Sequence, residues 1–434
     1  MTEQKPQAEQ NAYFTWDARS AQPARVTGWR KRSRRIPMLH YYLRMAGINV
    51  KAAGRIISHY LALKRELYKR DTMLSGCLGM GTDLQPDWQR IVTEMSELGV
   101  QRALVRIPVW DTHRIREYQA FIRGLQANGI PCMAAILQNR QAVTDPPFWT
   151  RCLETIFQSL EQDVCWYEIG HAWNRFKWGV WTYKEYIQLV ETAYRVRGNH
   201  TAIRLVGPAV IDFEFYFHAT ALLNKTHSLH FDALSSLLYV DRRGAPENTQ
   251  LGFDLAHKAL LLRTIGELTH PPDTPFWITE TNWPLPVREG YTPTAAKQGV
   301  PFELYADYLV RYYVEAMASG MVDAVYWWQL AAHGYGLIDN LHGRWDKRPA
   351  WYAMRTLCRR LGGSRLVHAT VSRDMRAYTF CGKNGKKQIV AWALGPEQYY
   401  TPPEDLRRVV LRDGEEGKPA KSIRLCGSPV YLEC

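Results

Sequence analysis

The sequence predicts a (β/α)8 TIM barrel with a C-terminal antiparallel β-sandwich and an N-terminal basic helical extension. Three observations carry this. Between residues 72 and 360, eight short apolar runs of strand type alternate with amphipathic stretches of helical period. From about residue 364 apolar and polar residues alternate between turns. Ahead of both, residues 29–70 hold twelve bases and one acid, so +11 of the formal net charge of +13 sits there. The expected divisions are 1–70, 71–362 and 363–434.

The extension opens on the cluster Arg30, Lys31, Arg32, Arg34 and Arg35. Leu39, Tyr42, Leu43, Ala46, Val50, Ala53, Ile57, Tyr60 and Leu61 then recur at helical spacing, with Arg44, Lys51, Arg55 and Lys64 largely between them. This is a basic amphipathic helix, with a break expected near Gly47. Three readings are open: a helix packed on the main body with a solvated basic face, a peripheral contact with an anionic membrane leaflet, or a phosphate-binding arm. Nucleic acid is the least favoured partner, since no nucleic-acid module follows the basic cluster.

The eight strand candidates are residues 73–81, 102–110, 131–139, 165–173, 203–211, 231–240, 275–283 and 322–330. Between the first two, Trp88, Ile91, Val92, Met95 and Leu98 mark a helix that Gly99 ends. Before the eighth, Leu304, Tyr308, Leu309, Tyr312 and Met317 mark another, with Gly320 as its stop. Near-continuous apolar strands separated by helices describe a parallel sheet covered on its outer side, and eight units in about 290 residues suit a closed barrel. A doubly wound sheet is the alternative, but Gly79-Met80-Gly81 is too short for its phosphate loop.

Composition sets limits. Apolar residues at 46% and charged residues at 22% exclude a wholly disordered chain. No run approaches the roughly 18 apolar residues of a membrane span. The first 35 residues lack an apolar core, so no secretory signal is expected. The eight cysteines form no CxxC pair, which points to reduced thiols in the cytoplasm. Three of them, Cys77, Cys132 and Cys165, fall in strand-like runs and are expected to be buried. No metal or other cofactor is expected: HExxH, GxSxG and a His/carboxylate facial set are all missing from the sequence.

In a barrel of this kind reactive groups sit at the C-terminal strand ends. Strand two ends in Arg106 and Trp110, strand four in Glu168, His171, Trp173 and Asn174, and strand six in Tyr239 and Asp241. Strand seven ends in Glu280, Asn282 and Trp283, and strand eight in Trp327 and Trp328. Carboxylates with indoles at one mouth are what is needed to stack a sugar ring and attack its anomeric carbon.

The motifs VRIPVW, YEIGxxxNR, ITETNWP, VYWW and WDKRPAWYAMR together resemble the clan A glycoside hydrolases, closest to the β-xylosidase and α-iduronidase type. The resemblance spans residues 72–434. It implies a retaining mechanism with Glu280 as nucleophile, Arg106 as its basic support, Tyr239 beside it and Trp327 or Trp328 as the sugar platform. The sequence departs from the family at strand four, where Asn-Glu-Pro is expected. Here His171-Ala172-Trp173 puts Ala172 at the acid/base position and His171 at the sugar-binding Asn. Leu238 also stands where the family carries a His near the Tyr. Glu168 lies too deep along the strand to substitute.

Three functional readings follow: a hydrolase or transglycosylase whose acid comes from His171, Asp241, Glu214 or His333; an enzyme whose leaving group needs no proton; or a glycan-binding pseudoenzyme. Several residues also have plainer readings. Glu280 could be a structural partner of Arg106, and His171 a polar cap. Trp327 and Trp328 cannot both face inward, because adjacent strand residues alternate. Trp110 and Trp283 divide between stacking and packing, while Trp173, Asn174 and Asn282 are further candidates for substrate contact. The expected partner is a carbohydrate. The expected location is the cytoplasm, peripheral on a bacterial inner membrane.

Overall fold

The computed structural model describes residues 14–17, 20–24, 36–70, 72–198, 200–227, 229–241, 243–287, 299–402 and 406–434. The Arg30–Arg35 cluster lies outside them. Eight parallel strands form: β1 (Leu78–Asp83), β2 (Arg102–Pro108), β3 (Cys132–Leu137), β4 (Trp166–Ile169), β5 (Arg204–Ile211), β6 (Ala233–Leu237), β7 (Phe276–Thr281) and β8 (Ala324–Trp327). They close into a barrel, β8 pairing with both β7 and β1. Gly99 caps the first barrel helix in the left-handed conformation, as its place in the sequence implies.

Strand ends are shorter than expected, and two boundaries and one register have a clear physical reason. The run 73–81 is split: Met73 bridges Arg365 and Leu74 donates to Ser364, so its first residues belong to the C-terminal sheet and β1 begins at Leu78. β4 stops at Ile169 because Gly170 turns the chain at φ +78°, where a Cβ would meet the Tyr186 ring at 2.8 Å. In β7 the register against β8 advances from Ile278 to Thr281 while β8 advances only from Val325 to Trp327. That is one extra residue, a β-bulge. It resets the alternation, so the neighbours Thr279 and Glu280 both carry side chains to lumen residues.

The C-terminal region pairs six strands, Arg365–Val371, Met375–Cys381, Lys387–Ala393, Val430–Glu433, Arg408–Leu411 and Glu416–Gly417, in that spatial order. A second two-stranded sheet joins Gln398–Tyr400 to Ile423–Leu425. Period-two alternation divides the faces. Ala377, Ile389, Ala391, Val409 and Leu432 pack with Ile423 and Leu425 inside the sandwich. Their neighbours Tyr378, Val390, Trp392, Val410 and Tyr431 join the barrel's own core.

The basic helix is continuous from Leu39 to Leu63 and passes through Gly47 without a break. The face it buries is not the apolar stripe seen in the sequence. Met45, Ala52, Ile56 and Leu63 are buried, whereas Leu39, Leu43, Val50, Ile57 and Leu61 are exposed. Polar contacts select that face: Asn49 donates to Tyr216 O and Thr220, and His59 pairs with Glu267 at 3.0 Å. Of the three strand cysteines, Cys77 and Cys132 are buried but Cys165 is exposed, lying just ahead of β4.

Glu247 fastens the sandwich to the barrel. Its carboxylate accepts from Arg311 Nε at 2.9 Å and Trp392 Nε1 at 2.8 Å, and Arg311 also donates to Gly427 O. Both side chains of the Arg311–Glu247 pair are almost wholly buried. Glu247→Leu strands the Arg311 charge and is expected to cost about 3–5 kcal/mol in urea unfolding, while Arg311→Met added to it recovers most of the loss.

Candidate active site

Glu280 sits at the end of β7 and is only 6% exposed. Arg106, reaching from β2, donates through Nη2 to Glu280 Oε2. The Tyr239 hydroxyl donates to Oε1 at 2.5 Å. His171 Nε2 lies 3.5 Å from Oε2 and 3.4 Å from Arg106 Nη2. The structure therefore brings four sequence candidates from four strand ends into one buried cluster. The Arg106 guanidinium lies over the Trp328 ring, its Cζ 3.2 Å from the centroid. Trp328 reaches this place because Gly81 on β1 leaves room; a Cβ there would meet the indole at 2.6 Å.

The loop after β4 is shaped by Gln138, which follows β3 and is fully buried. Its side chain accepts from His171 N at 2.7 Å and donates to the carbonyls of His171 and Trp178, both at 3.0 Å. This clamp presents the His171 ring edge-on to Trp178, with centroids 4.4 Å apart. Ala172 is buried, with φ +44°, and donates its N–H to Ala209 O. Leu137, Trp178, Leu237 and Tyr239 surround it. Where a general acid is expected, the wall is apolar.

Burial shifts the neighbouring titrations. Burial pulls His171 well below the usual imidazole range, and the positive charges of Arg106 and Lys177 add to this. It is therefore neutral at pH 7. Glu168 is pushed up to about 7 by burial, against hydrogen bonds from Thr279, at 2.6 Å, and Ser235. Asp83, half-buried at the end of β1, is pushed up to about 6 by burial, although Arg106 draws it down. It lines a cavity of about 660 Å³ at the mouth, with Trp110, Tyr118, Gln329 and Tyr335.

The other expected site residues are placed elsewhere. Trp327 is directed to the helix layer, where its Nε1 donates to Tyr305 at 2.7 Å, so strand alternation leaves Trp328 as the inward indole. Trp283 stacks on Trp327 and donates to Gly244 O. Trp173 stacks on Tyr186 with centroids 4.5 Å apart. Asn174 ties Ile211 to Glu214, and Asn282 donates to Trp328 O at 2.6 Å. These four positions do packing and loop-holding work. Asp241 caps its own loop. Burial would raise its carboxyl, but hydrogen bonds from Asn248 and the Arg243 and Gly244 amides outweigh that and hold it low. Glu214 is paired with Arg175 at 2.8 Å, and His333 with Asp339 at 3.0 Å.

Sequence reasoning missed Gln138, Asp83 and the N-terminal residues at the mouth. A lone amide ending the apolar run CMAAIL was the available signal for Gln138. Nothing in the sequence marked residues 14–17 and 20–24, in which Trp16–Asp17 pairs antiparallel with Gln22–Pro23. Trp16 packs on Trp110, with centroids 5.0 Å apart, and on Trp178 at 6.2 Å. Trp110 is thus covered by the chain's own indole.

Glu168 makes stability depend on pH. Between the ordinary 4.5 and about 7 the folded state keeps a proton that the unfolded chain releases, so stability falls as pH rises through this window. Glu168→Gln keeps the Thr279 hydrogen bond and carries no charge. It is expected to remove about 3 kcal/mol of that fall in urea unfolding between pH 4.5 and 7.5, leaving the smaller limb of Asp83.

No protein-family model matches the chain, and no curated protein matches it. Solved structures share its fold. A family 39 glycoside hydrolase from the gut symbiont Bacteroides cellulosilyticus WH2 superposes with TM-score 0.66 at 15% identity, covering 82% of this chain and 81% of that one. A GH30 endoxylanase from Clostridium papyrosolvens C71 gives 0.58 at 13%, covering 84% and 98%. A GH51 arabinofuranosidase from Xanthomonas axonopodis pv. citri gives 0.55 at 12%, covering 84% and 97%. At these identities the likeness is one of fold: the chain has the barrel-and-sandwich architecture of the clan A glycoside hydrolases that its strand-end motifs resemble.

Proposed function

We propose that the barrel mouth takes a glycoside and that Glu280 attacks its anomeric carbon in a retaining cleavage or transfer. The carrying observation is a buried carboxylate at the end of β7 with both oxygens engaged, Oε1 by Tyr239 and Oε2 by Arg106. In the first step a Glu280 oxygen forms an ester with the anomeric carbon, and the leaving oxygen departs with the bonding pair. Ala172 offers it no proton, and a neutral His171 is not a ready acid. Substrates whose leaving groups need no protonation are favoured. In the second step an acceptor oxygen replaces Glu280 at the anomeric carbon and its proton passes to solvent, because burial and Arg106 also make His171 a weak base. The second reading, a glycan-binding pseudoenzyme, is favoured by the apolar wall at Ala172.

Aryl glycosides with very good leaving groups, screened with and without azide, test this. Azide-accelerated turnover that Glu280→Ala lowers by 10² or more supports the nucleophile in a site short of acid/base help, which alone typically supplies 10²–10⁴. Binding of a glycan without release of any aryl group supports the pseudoenzyme.

The location we infer is an anionic membrane surface, in polysaccharide or glycolipid metabolism at the cytoplasmic face of a bacterial inner membrane. Among the described residues no helix is long and apolar enough to cross a membrane. The support is the helix Leu39–Leu63. Its outer stripe of Leu39, Leu43, Val50, Ile57 and Leu61 is exposed, with Arg44, Lys51 and Arg55 exposed beside it. Such a helix lies in the interfacial plane, and each basic residue contributes about 1 kcal/mol. Co-sedimentation with phosphatidylserine-containing vesicles at low salt is expected. It should weaken with salt and with Leu43→Asp plus Val50→Asp, which touch no buried face. Failure to sediment removes the membrane from the proposal.

A further inference from the structure

The hairpin of residues 14–17 and 20–24 sits in the mouth that a glycoside would enter. It closes on itself through Ala24 N to Thr15 O at 2.7 Å and Ser20 Oγ to Asp17 at 2.6 Å. Its outward contacts reach three separate strand ends. At β2, Arg106 Nη1 donates to Ala21 O at 3.3 Å, and Phe14 and Trp16 pack on Trp110. After β4, Lys177 donates to the Gln22 side chain and Trp178 meets Trp16. After β8, Tyr335 donates to Ser20 O at 2.8 Å, while Ala21 packs with Trp328 and Ala332.

These are contacts of the kind a sugar makes: an oxygen accepting from a guanidinium, an oxygen accepting from a hydroxyl, and an apolar face against an indole. The same guanidinium that holds Glu280 holds the hairpin. Arg106 is 3% exposed and Glu280 6%. A displacement at the anomeric carbon needs the reacting atoms about 3–3.5 Å apart, and the hairpin's Ala21 lies against Trp328 and against Arg106, the group that holds Glu280. Strands of two residues hold little stability of their own, so the hairpin keeps its place through the mouth rather than through itself.

We infer that residues 14–17 and 20–24 are an intramolecular occupant of the glycoside site, an autoinhibitory strap that ligand and strap cannot share. This rests on the reading of the mouth as a glycoside site. In the resting chain the strap covers Arg106 and Glu280; its release exposes the carboxylate.

The test uses the full chain and Trp16→Glu, which puts a charge against Trp110 and Trp178. Hydrogen exchange of residues 14–17 and 20–24 reads strap release. Carbodiimide-promoted amidation with glycinamide, mapped by mass spectrometry, reads the accessibility of Glu280 whatever sugar the site prefers. The expected result is faster exchange of the strap and an increase on the order of tenfold in Glu280 labelling, at an unchanged unfolding midpoint for the barrel. A released strap with unchanged labelling overturns the inference, as does a strap that stays protected in the variant. A lowered barrel midpoint would make the labelling ambiguous. Gln22→Ala, which removes only the Lys177 contact, then decides: intermediate labelling supports the strap and wild-type labelling overturns it. Labelling that rises while no aryl glycoside turns over keeps the strap and removes the hydrolase. Turnover equal in wild type and variant, with equal labelling, removes the strap and keeps the hydrolase.

Discussion

The buried pair of Arg106 and Glu280 is the constraint around which the barrel mouth is organised. Two charges almost out of water lose more hydration than their attraction alone restores, unless the remaining hydrogen-bonding capacity is met. Here it is met from every side. Tyr239 takes the second carboxylate oxygen, and Ala21 O takes the second guanidinium nitrogen. Trp328 covers the guanidinium face. Tyr239 and Trp328 come from two further strand ends and Ala21 from the N-terminal hairpin, so the pair couples the geometry of β2, β6, β7, β8 and the hairpin. A well-packed apolar pair would stabilise the fold at least as well. Stability alone therefore does not account for the pair.

Burial, more than the one cation, sets the two shifted acids at the mouth. Arg106 draws down Asp83 and Glu168 through space but touches Glu280 directly. Burial lifts the two carboxyls it does not touch, to about 6 and about 7, while the same positive charge helps keep His171 neutral. The mouth thus holds a paired carboxylate, a neutral imidazole and two weakly acidic carboxyls. This is an unequal set of proton carriers in a site whose fourth strand presents Ala172 instead of an acid.

The N-terminal region does two things that its charge alone does not announce. Its first described residues close over the mouth, and its helix turns a different face to the barrel from the one its hydrophobic pattern suggests. Both follow from polar anchoring. Asn49 and His59 reach hydrogen-bond partners on the barrel helices only when Met45, Ala52, Ile56 and Leu63 point inward, which leaves the longer apolar residues outside. Burial therefore follows the face that can satisfy its polar groups, and the stripe left out remains for another surface.

The eight strands, the helix stops at Gly99 and Gly320 and the two faces of the sandwich were legible in the sequence, because periodicity reports which side of an element meets a core. Glu280, Arg106, Tyr239 and His171 were legible as a group because the ends of parallel strands converge on one mouth. Where each remaining side chain goes depends on events of one residue or one contact. The bulge in β7 turns two neighbours to one side, Gly170 ends β4 early, and alternation at β8 sends Trp327 out and Trp328 in. No local pattern carries these. Nor does the sequence show that residues 14–17 and 20–24 reach the mouth, for that contact joins segments more than 80 residues apart and exists only once the barrel has placed Arg106, Trp178 and Tyr335 around one opening. The sequence by itself determined the elements and the chemistry available at the strand ends. The tertiary structure decided which groups share a buried space, and so which of them keep their charge.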